Sequence, residues 1–211
     1  SPVAMPWLAA VPAVVVAWFP GQAGGDALAD VLLGTVDASG RLPVTFPRAF
    51  EDTPAFEHHP GRNGVAAYIE RRLVGYRWYD TVGREPLFPF GFGLSYAAPS
   101  ITAATAAEPF RVRATVSNPA ERPGTEVVQV YVHALERGGL AADHPEQALA
   151  GFARVQVPAG GTATVDVDLD QRCYLTWDPD AHSWVPAGAR FELRVGRSSR
   201  NPDHVLTVTA P

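Results

Sequence analysis

At 211 residues, 46% hydrophobic and 18% charged, the chain can build one large domain or two modest ones with real cores. Its net charge of −5 argues against nucleic acid as a partner. The longest apolar run, Val11 to Phe19, holds a proline and is too short to cross a bilayer, and one cysteine excludes an internal disulfide or a cysteine-rich metal site. That residue, Cys173, is expected to be a buried structural thiol rather than a reactive one. Ser1-Pro2-Val3-Ala4-Met5 does not read as a natural start, so the lack of a signal peptide leaves localisation open, cytoplasmic or secreted.

In chain order, Ala13 to Trp18 (AVVVAW) is a continuous valine-rich run that predicts a strand covered on both faces. Phe19-Pro20-Gly21 stops it. A short helix is expected next, with Asp26 capping or charge-stabilising its start, Leu28, Val31 and Leu32 on one face, and Gly34 as its stop. A second strand is expected at Leu42 to Phe46, between prolines, giving a strand–helix–strand piece of an α/β layer. A run of aromatics among prolines follows, to Tyr96. Residues 97–108 are small and weakly patterned and predict a linker.

Beyond it the pattern becomes that of an antiparallel sandwich. Phe110, Val112, Ala114 and Val116 alternate with polar residues, as do Ala163, Val165, Val167 and Leu169, and Phe191, Leu193 and Val195. Pro158-Ala159-Gly160-Gly161 and Asp178-Pro179-Asp180 are turns, and Trp177 and Trp184, flanking the second, are expected to close over the core. Residues 136–146 predict a surface loop, with reach toward a neighbouring domain as the alternative. The fold class expected is therefore α/β plus all-β: a partial α/β layer in residues 1–96, then a β-sandwich in residues 97–211.

Candidate chemistry is sparse. The loop Gly21-Gln22-Ala23-Gly24-Gly25-Asp26 lacks the lysine and hydroxyl of a phosphate loop and places an aspartate where an anion would sit, so its glycines predict a tight turn and close packing. Asp26 and Asp30 lie one helical turn apart, while Glu51, Asp52, Glu70 and Glu85 fall in irregular segments. Nothing local raises their pKa, and solvated or capping roles are expected. His58 and His59 are adjacent, and His133, His144, His182 and His204 are scattered, without metal-ligand spacing. No G-x-S-x-G elbow is present. The cluster Tyr68, Tyr76, Trp78, Tyr79, Phe88, Phe90, Phe92 and Tyr96 could stack on sugars at a cleft, but gluing two domains together is the preferred reading. No catalytic, cofactor or metal residue is assigned.

The residues also carry a resemblance. "AWFPGQAGGDALADVLLGTVDASGRLPVTFP" and "LVGYRWYDTVGREPLFPFGFGLSY" resemble the closing part of the α/β sandwich domain of glycoside hydrolase family 3, the β-glucosidase family. Glu126-Val127-Val128-Gln129-Val130-Tyr131, Leu149-Ala150-Gly151-Phe152 and Val195-Gly196-Arg197-Ser198-Ser199-Arg200 resemble the fibronectin type III-like domain that follows in many members. The resemblance implies a parent enzyme that hydrolyses a terminal β-glucoside with retention, or alternatively a β-xyloside or another β-linked sugar. It implies that the nucleophilic aspartate and the acid/base glutamate lie upstream of Ser1, on a TIM-type barrel and the start of the sandwich domain. Partners would then be that missing portion, or a second copy of the chain. One departure stands out: Glu70 is commonly followed by glycine in the family, whereas Arg71 and Arg72 follow here. The rival from another class is a non-catalytic carbohydrate-binding or adhesion module.

Overall fold

The computed structural model describes residues 2–136 and 140–210. The second half is a two-sheet antiparallel sandwich. β1 (Ser100–Glu108), β2 (Arg111–Ser117) and β5 (Thr162–Asp168) form one sheet in the order β1-β2-β5. β3 (Gly124–Ala134), β4 (Ala148–Val157), β8 (Arg190–Gly196) and β9 (His204–Thr209) form the other, ordered β4-β3-β8-β9. A two-stranded ribbon, β6 (Leu175–Asp178) and β7 (Ser183–Pro186), completes it.

The alternation in the sequence sets these faces. Val112, Ala114 and Val116 of β2 are buried with no exposed surface, and they meet Val128 and Val130 of β3, Val167 of β5, and Phe191, Leu193 and Val195 of β8 in one core. Tyr174 packs its ring on Phe191 with centroids 4.9 Å apart, and its hydroxyl donates to the Pro109 carbonyl. On the outer face of β2 and β5, Arg111 stands opposite Asp168 and Arg113 opposite Asp166, each pair bonded at 2.7 Å. Opposite charges at directly paired positions favour this register over a slip.

The first 96 residues hold little regular structure. Helix α1 (Gly24–Leu32) carries Asp26 in its first turn and ends with Gly34 at φ +74°, as expected, although Ala23 and not Asp26 is the N-cap. Helix α2 (Tyr76–Val82) is capped by Gly83 in the left-handed conformation. Ala13 to Trp18 does not form the expected strand: it pairs with no ladder, and its valines are 37–49% exposed from Val14 to Val16. Its apolar content needs neighbours on both faces that these residues do not supply. Leu42 to Phe46 is likewise not a strand of a parallel layer. It forms an antiparallel bridge, Phe46 to Phe88, with the Leu42 N–H donating to the Phe92 carbonyl and the Gly91 N–H to the Leu42 carbonyl.

Three further expectations need correction. The expected linker at 97–108 is mostly strand β1, whose alanines gave too little contrast between faces to read as alternation. Trp177 and Trp184 do not close over the core: they face each other across the ribbon, 43% and 45% exposed, with centroids 5.8 Å apart. Finally, the 136–146 segment, of which residues 137–139 lie outside the described residues, reaches the first half of the chain through Asp143 and Glu146.

Two outcomes follow from this core. Phe191→Ala should destabilise the chain by about 3–5 kcal/mol in equilibrium urea unfolding, because its ring is almost fully buried in the sandwich core and packs on Tyr174. Burial pushes the Cys173 thiol up to about 12, so at pH 8 it should resist a disulfide exchange reagent in the native state and react at the normal rate once unfolded.

Candidate functional site

The densest arrangement of polar chemistry lies where the first 96 residues meet the outer face of β3. Thr125, Glu126, Gln129 and Tyr131 are all buried on this interior strand, polar groups that a sheet face open to water would leave exposed. Thr125, Glu126 and Gln129 bond to the first half, and Tyr131 bonds to Gln129. The Arg41 guanidinium donates to Glu126 Oε1 at 2.6 Å, with 8% and 2% of the two side chains exposed, and the Val127 N–H donates to the same oxygen at 2.7 Å. Asp37 accepts from the Ser95 hydroxyl and from the Tyr96 and Thr125 backbone N–H groups. Gln129 donates to the carbonyls of Gly91 and Arg197 and accepts from the Tyr131 hydroxyl at 2.6 Å. Burial raises the Tyr131 pKa, which keeps the phenol protonated as that donor. Gly91, at φ +79°, permits the contact, since a Cβ there would collide with the Gln129 amide.

A second cluster ties α2 to the sandwich. Asp80 Oδ1 lies 2.7 Å from Arg200 Nε, and Asp80 Oδ2 accepts from Gln147 Nε2. The Arg200 fork is turned to donate to the carbonyls of Tyr79 and Arg84, so the contact with Asp80 is one of charge without a well-aligned hydrogen bond. Desolvation by burial outweighs Gln147 and Arg200 and raises the Asp80 pKa above its usual 3.8. Tyr76 stacks on Phe90 at 4.8 Å, meets Tyr131 edge-on, and accepts from the Leu149 N–H. Arg72 bridges to Asp143 at 2.7 Å, and Thr81 accepts from the Glu146 N–H.

The carboxylates singled out in the sequence do not converge. Asp26 and Asp30 are exposed on α1, Glu51 is exposed, Asp52 pairs with Arg84 at 2.7 Å, and Glu85 lies 3.7 Å from Arg200. Glu70 is half-buried, with Oε2 lacking a hydrogen bond. Of the aromatic cluster, Tyr76, Tyr79, Phe90 and Tyr96 meet the sandwich, through Tyr131, Arg200, Ser199 and Arg122, whereas Phe88 and Phe92 stack on each other within the first half and Tyr68 is 82% exposed. Among the described residues no group of three or more His, Cys, Asp or Glu is placed to hold a metal ion, and no helix is long and apolar enough to cross a membrane.

Sequence reasoning missed Arg41, Asp37, Asp80, Glu126 and Gln129. The available signal was Glu126 and Gln129 interrupting the otherwise apolar run EVVQVYV, where a charge has no place unless a partner is supplied from elsewhere.

Comparison with known proteins places these features. Residues 1–96 match the glycosyl hydrolase family 3 C-terminal domain, and residues 126–199 match the fibronectin type III-like domain. A β-glucosidase of Rhizobium radiobacter is 39% identical over 209 residues, covering 94% of this chain and 25% of that protein. An exo-α-(1→6)-L-arabinopyranosidase of Bifidobacterium breve is 38% identical over 207 residues, covering 96% of this chain and 27% of that protein. The crystal structure of DesR, a β-glucosidase from Streptomyces venezuelae in complex with D-glucose, superposes with a TM-score of 0.90 at 36% identity, over all of this chain and 28% of that one. The chain thus spans about a quarter of the length of the relatives it matches.

Breaking the seam should be costly. Arg41→Ala strands the Glu126 carboxylate in the interior and is expected to cost about 3–5 kcal/mol by chemical denaturation, with Arg41→Ala/Glu126→Gln recovering part of it. Asp80 has the opposite sign from a well-paired carboxylate. Its raised folded pKa gives stability that is present below 3.8 and lost as pH rises through the folded value. The cost of Asp80→Asn should therefore shrink as unfolding is measured at successively higher pH from acid upward.

Proposed function

The chain belongs to the C-terminal region of glycoside hydrolase family 3, and from that premise we propose that it completes and buttresses the substrate cleft of a retaining β-glucosidase. Residues 1–96 would be the closing portion of the α/β sandwich domain, and residues 97–211 the fibronectin type III-like sandwich fastened to it. Retention requires two carboxyl groups about 5 Å apart across one cleft. Of the two cavities described, the larger is lined by one carboxylate, Asp170, and the smaller by one, Glu108. Most other acidic groups are bound to arginines or lie in solvent. The nucleophilic aspartate and the acid/base glutamate are accordingly assigned to polypeptide preceding Ser1.

The observation that carries this reading is the apolar band left open by residues 2–36. Phe19 is 94% exposed, Leu33 82% and Leu32 62%, with Trp7, Val15 and Trp18 each 40–49% exposed. So many large apolar side chains exposed within one short segment mark a contact that buries them. The occupant proposed is the preceding part of the same enzyme, with a second copy of the chain as the substitute when that part is missing. A carbohydrate-binding or adhesion module would have no use for this band.

The sugar acted on is proposed to be a β-linked glucoside. Relatives named for glucose and for L-arabinopyranose are equally similar to this chain, which favours residues outside it as the determinants of specificity.

The pure 211-residue chain should show no turnover of an aryl β-glucoside and should self-associate in light scattering. Co-expression with the preceding portion should yield a soluble complex that hydrolyses the substrate. Turnover by the chain alone, abolished by a substitution of one of its own carboxylates, would refute the assignment.

A further inference from the structure

A cavity of about 360 Å³ opens between the β6–β7 ribbon, helix α2 and the start of β4. Its size falls within the range of small-ligand sites. The wall is formed by Trp177 and Trp184 and the floor by apolar side chains of β3 and β8, Phe191 among them. Trp184 is fixed twice, by the edge-to-face contact with Trp177 and by the Arg172 guanidinium 5.1 Å from its ring centroid. Trp177, half-exposed, has no guanidinium over it among the described contacts and so offers a rigid, uncovered ring.

Three arginines line the same cavity, in a chain whose net charge is −5. Arg72 is committed to Asp143 and Thr176. Arg77 and Arg172 make no ion pair among the described residues, and Arg77 Nε is buried without a hydrogen-bond partner. The one lining carboxylate, Asp170, accepts from the backbone N–H of Arg172 and lies at the turn that follows β5. Arg77 stands over the Tyr76 ring at 5.9 Å and Arg172 over Trp184, contacts that hold the two guanidinium groups without neutralising them, and an aromatic platform beside such cations fits a ligand with a ring face and a negative charge.

We propose that this cavity binds an acidic saccharide, with a pyranose ring against Trp177 and a uronate carboxylate held by Arg77 with support from Arg172. The surplus of cation over carboxylate favours a uronate over a neutral sugar, since a neutral ligand would cover Arg77, already half-buried with Nε unbonded, without supplying a counter-charge. The inference stands whether or not the glycosidase role above is correct, because every group it uses belongs to this chain.

The test titrates the full-length gene product with a uronate-bearing tetrasaccharide and, in parallel, with cellotetraose, by calorimetry. A second, local readout follows alkylation of Cys173, which lines the same cavity, by peptide mass mapping at alkaline pH. The acidic tetrasaccharide should bind and slow Cys173 alkylation. Arg77→Gln should weaken its binding roughly tenfold to a hundredfold, and Trp177→Ala about tenfold, with unchanged melting temperatures. Should Trp177→Ala fail to fold, Arg172→Gln serves in its place. Absence of binding, binding that leaves Cys173 unprotected, equal affinity of wild type and Arg77→Gln, or preference for cellotetraose would each overturn the proposal.

Discussion

The structure depends on β3 being buried on both of its faces. One face supplies Val128, Val130 and Val132 to the sandwich core. The other carries Thr125, Gln129 and Tyr131, polar groups that no sheet alone can satisfy. An unpaired buried polar group costs more than a hydrogen bond returns, so this strand is stable only when the first 96 residues lie over it in one register. Arg41 on Glu126, Gly91 under Gln129 and Asp37 at the Thr125 amide are the three points that set that register. A slip of the covering segment by one residue would strand several of these groups at once.

Those contacts explain how so irregular a segment is held. Residues 37–96 contain one seven-residue α-helix, a single 3-10 turn at Phe50–Asp52 and two isolated antiparallel bridges, so regular backbone pairing cannot fix their path. Prolines, aromatic stacking and side chain-to-carbonyl hydrogen bonds do so instead. Phe88 on Phe92 and Tyr76 on Phe90 are stacked pairs within the segment, and Tyr76 continues onto Tyr131 of β3. Arg200 performs the same service from the other side, holding the carbonyl of Tyr79 within α2 and that of Arg84 just past its C-terminus.

What the sequence made legible follows from where its information is local. β2, β5 and β8 could be read because each alternates against water, and the turns between strands declare themselves through proline, glycine and aspartate. β1 could not, because SITAATAAE has one large apolar residue and nothing to distinguish its faces. Ala13 to Trp18 misled for the reverse reason: its valines are written for neighbours outside these residues, and alone they take no strand partner. The polar seam was visible only as motif. Arg41, Tyr76, Asp80, Ser95, Glu126, Gln129 and Arg200 all sit within the stretches that carried the family resemblance, yet no spacing rule pairs Arg41 with a glutamate 85 positions on.

The two surfaces of the first segment therefore have opposite characters, and the difference bears on their roles. The surface against β3 is polar, charge-matched and satisfied within the chain, which makes it specific: few other arrangements would return the same hydrogen bonds. The surface presented by residues 2–36 is apolar and unsatisfied, with tryptophan, valine and leucine side chains and no matched charge. Apolar burial is non-directional and tolerates small adjustments of angle, whereas a network of buried hydrogen bonds does not. A scaffold built this way carries its own orientation on the inside and leaves a deformable contact for whatever completes it. The position of the loop at residues 61–75, with Tyr68 and Ile69 projecting into solvent, is then fixed from the sandwich through Arg72 and Tyr76.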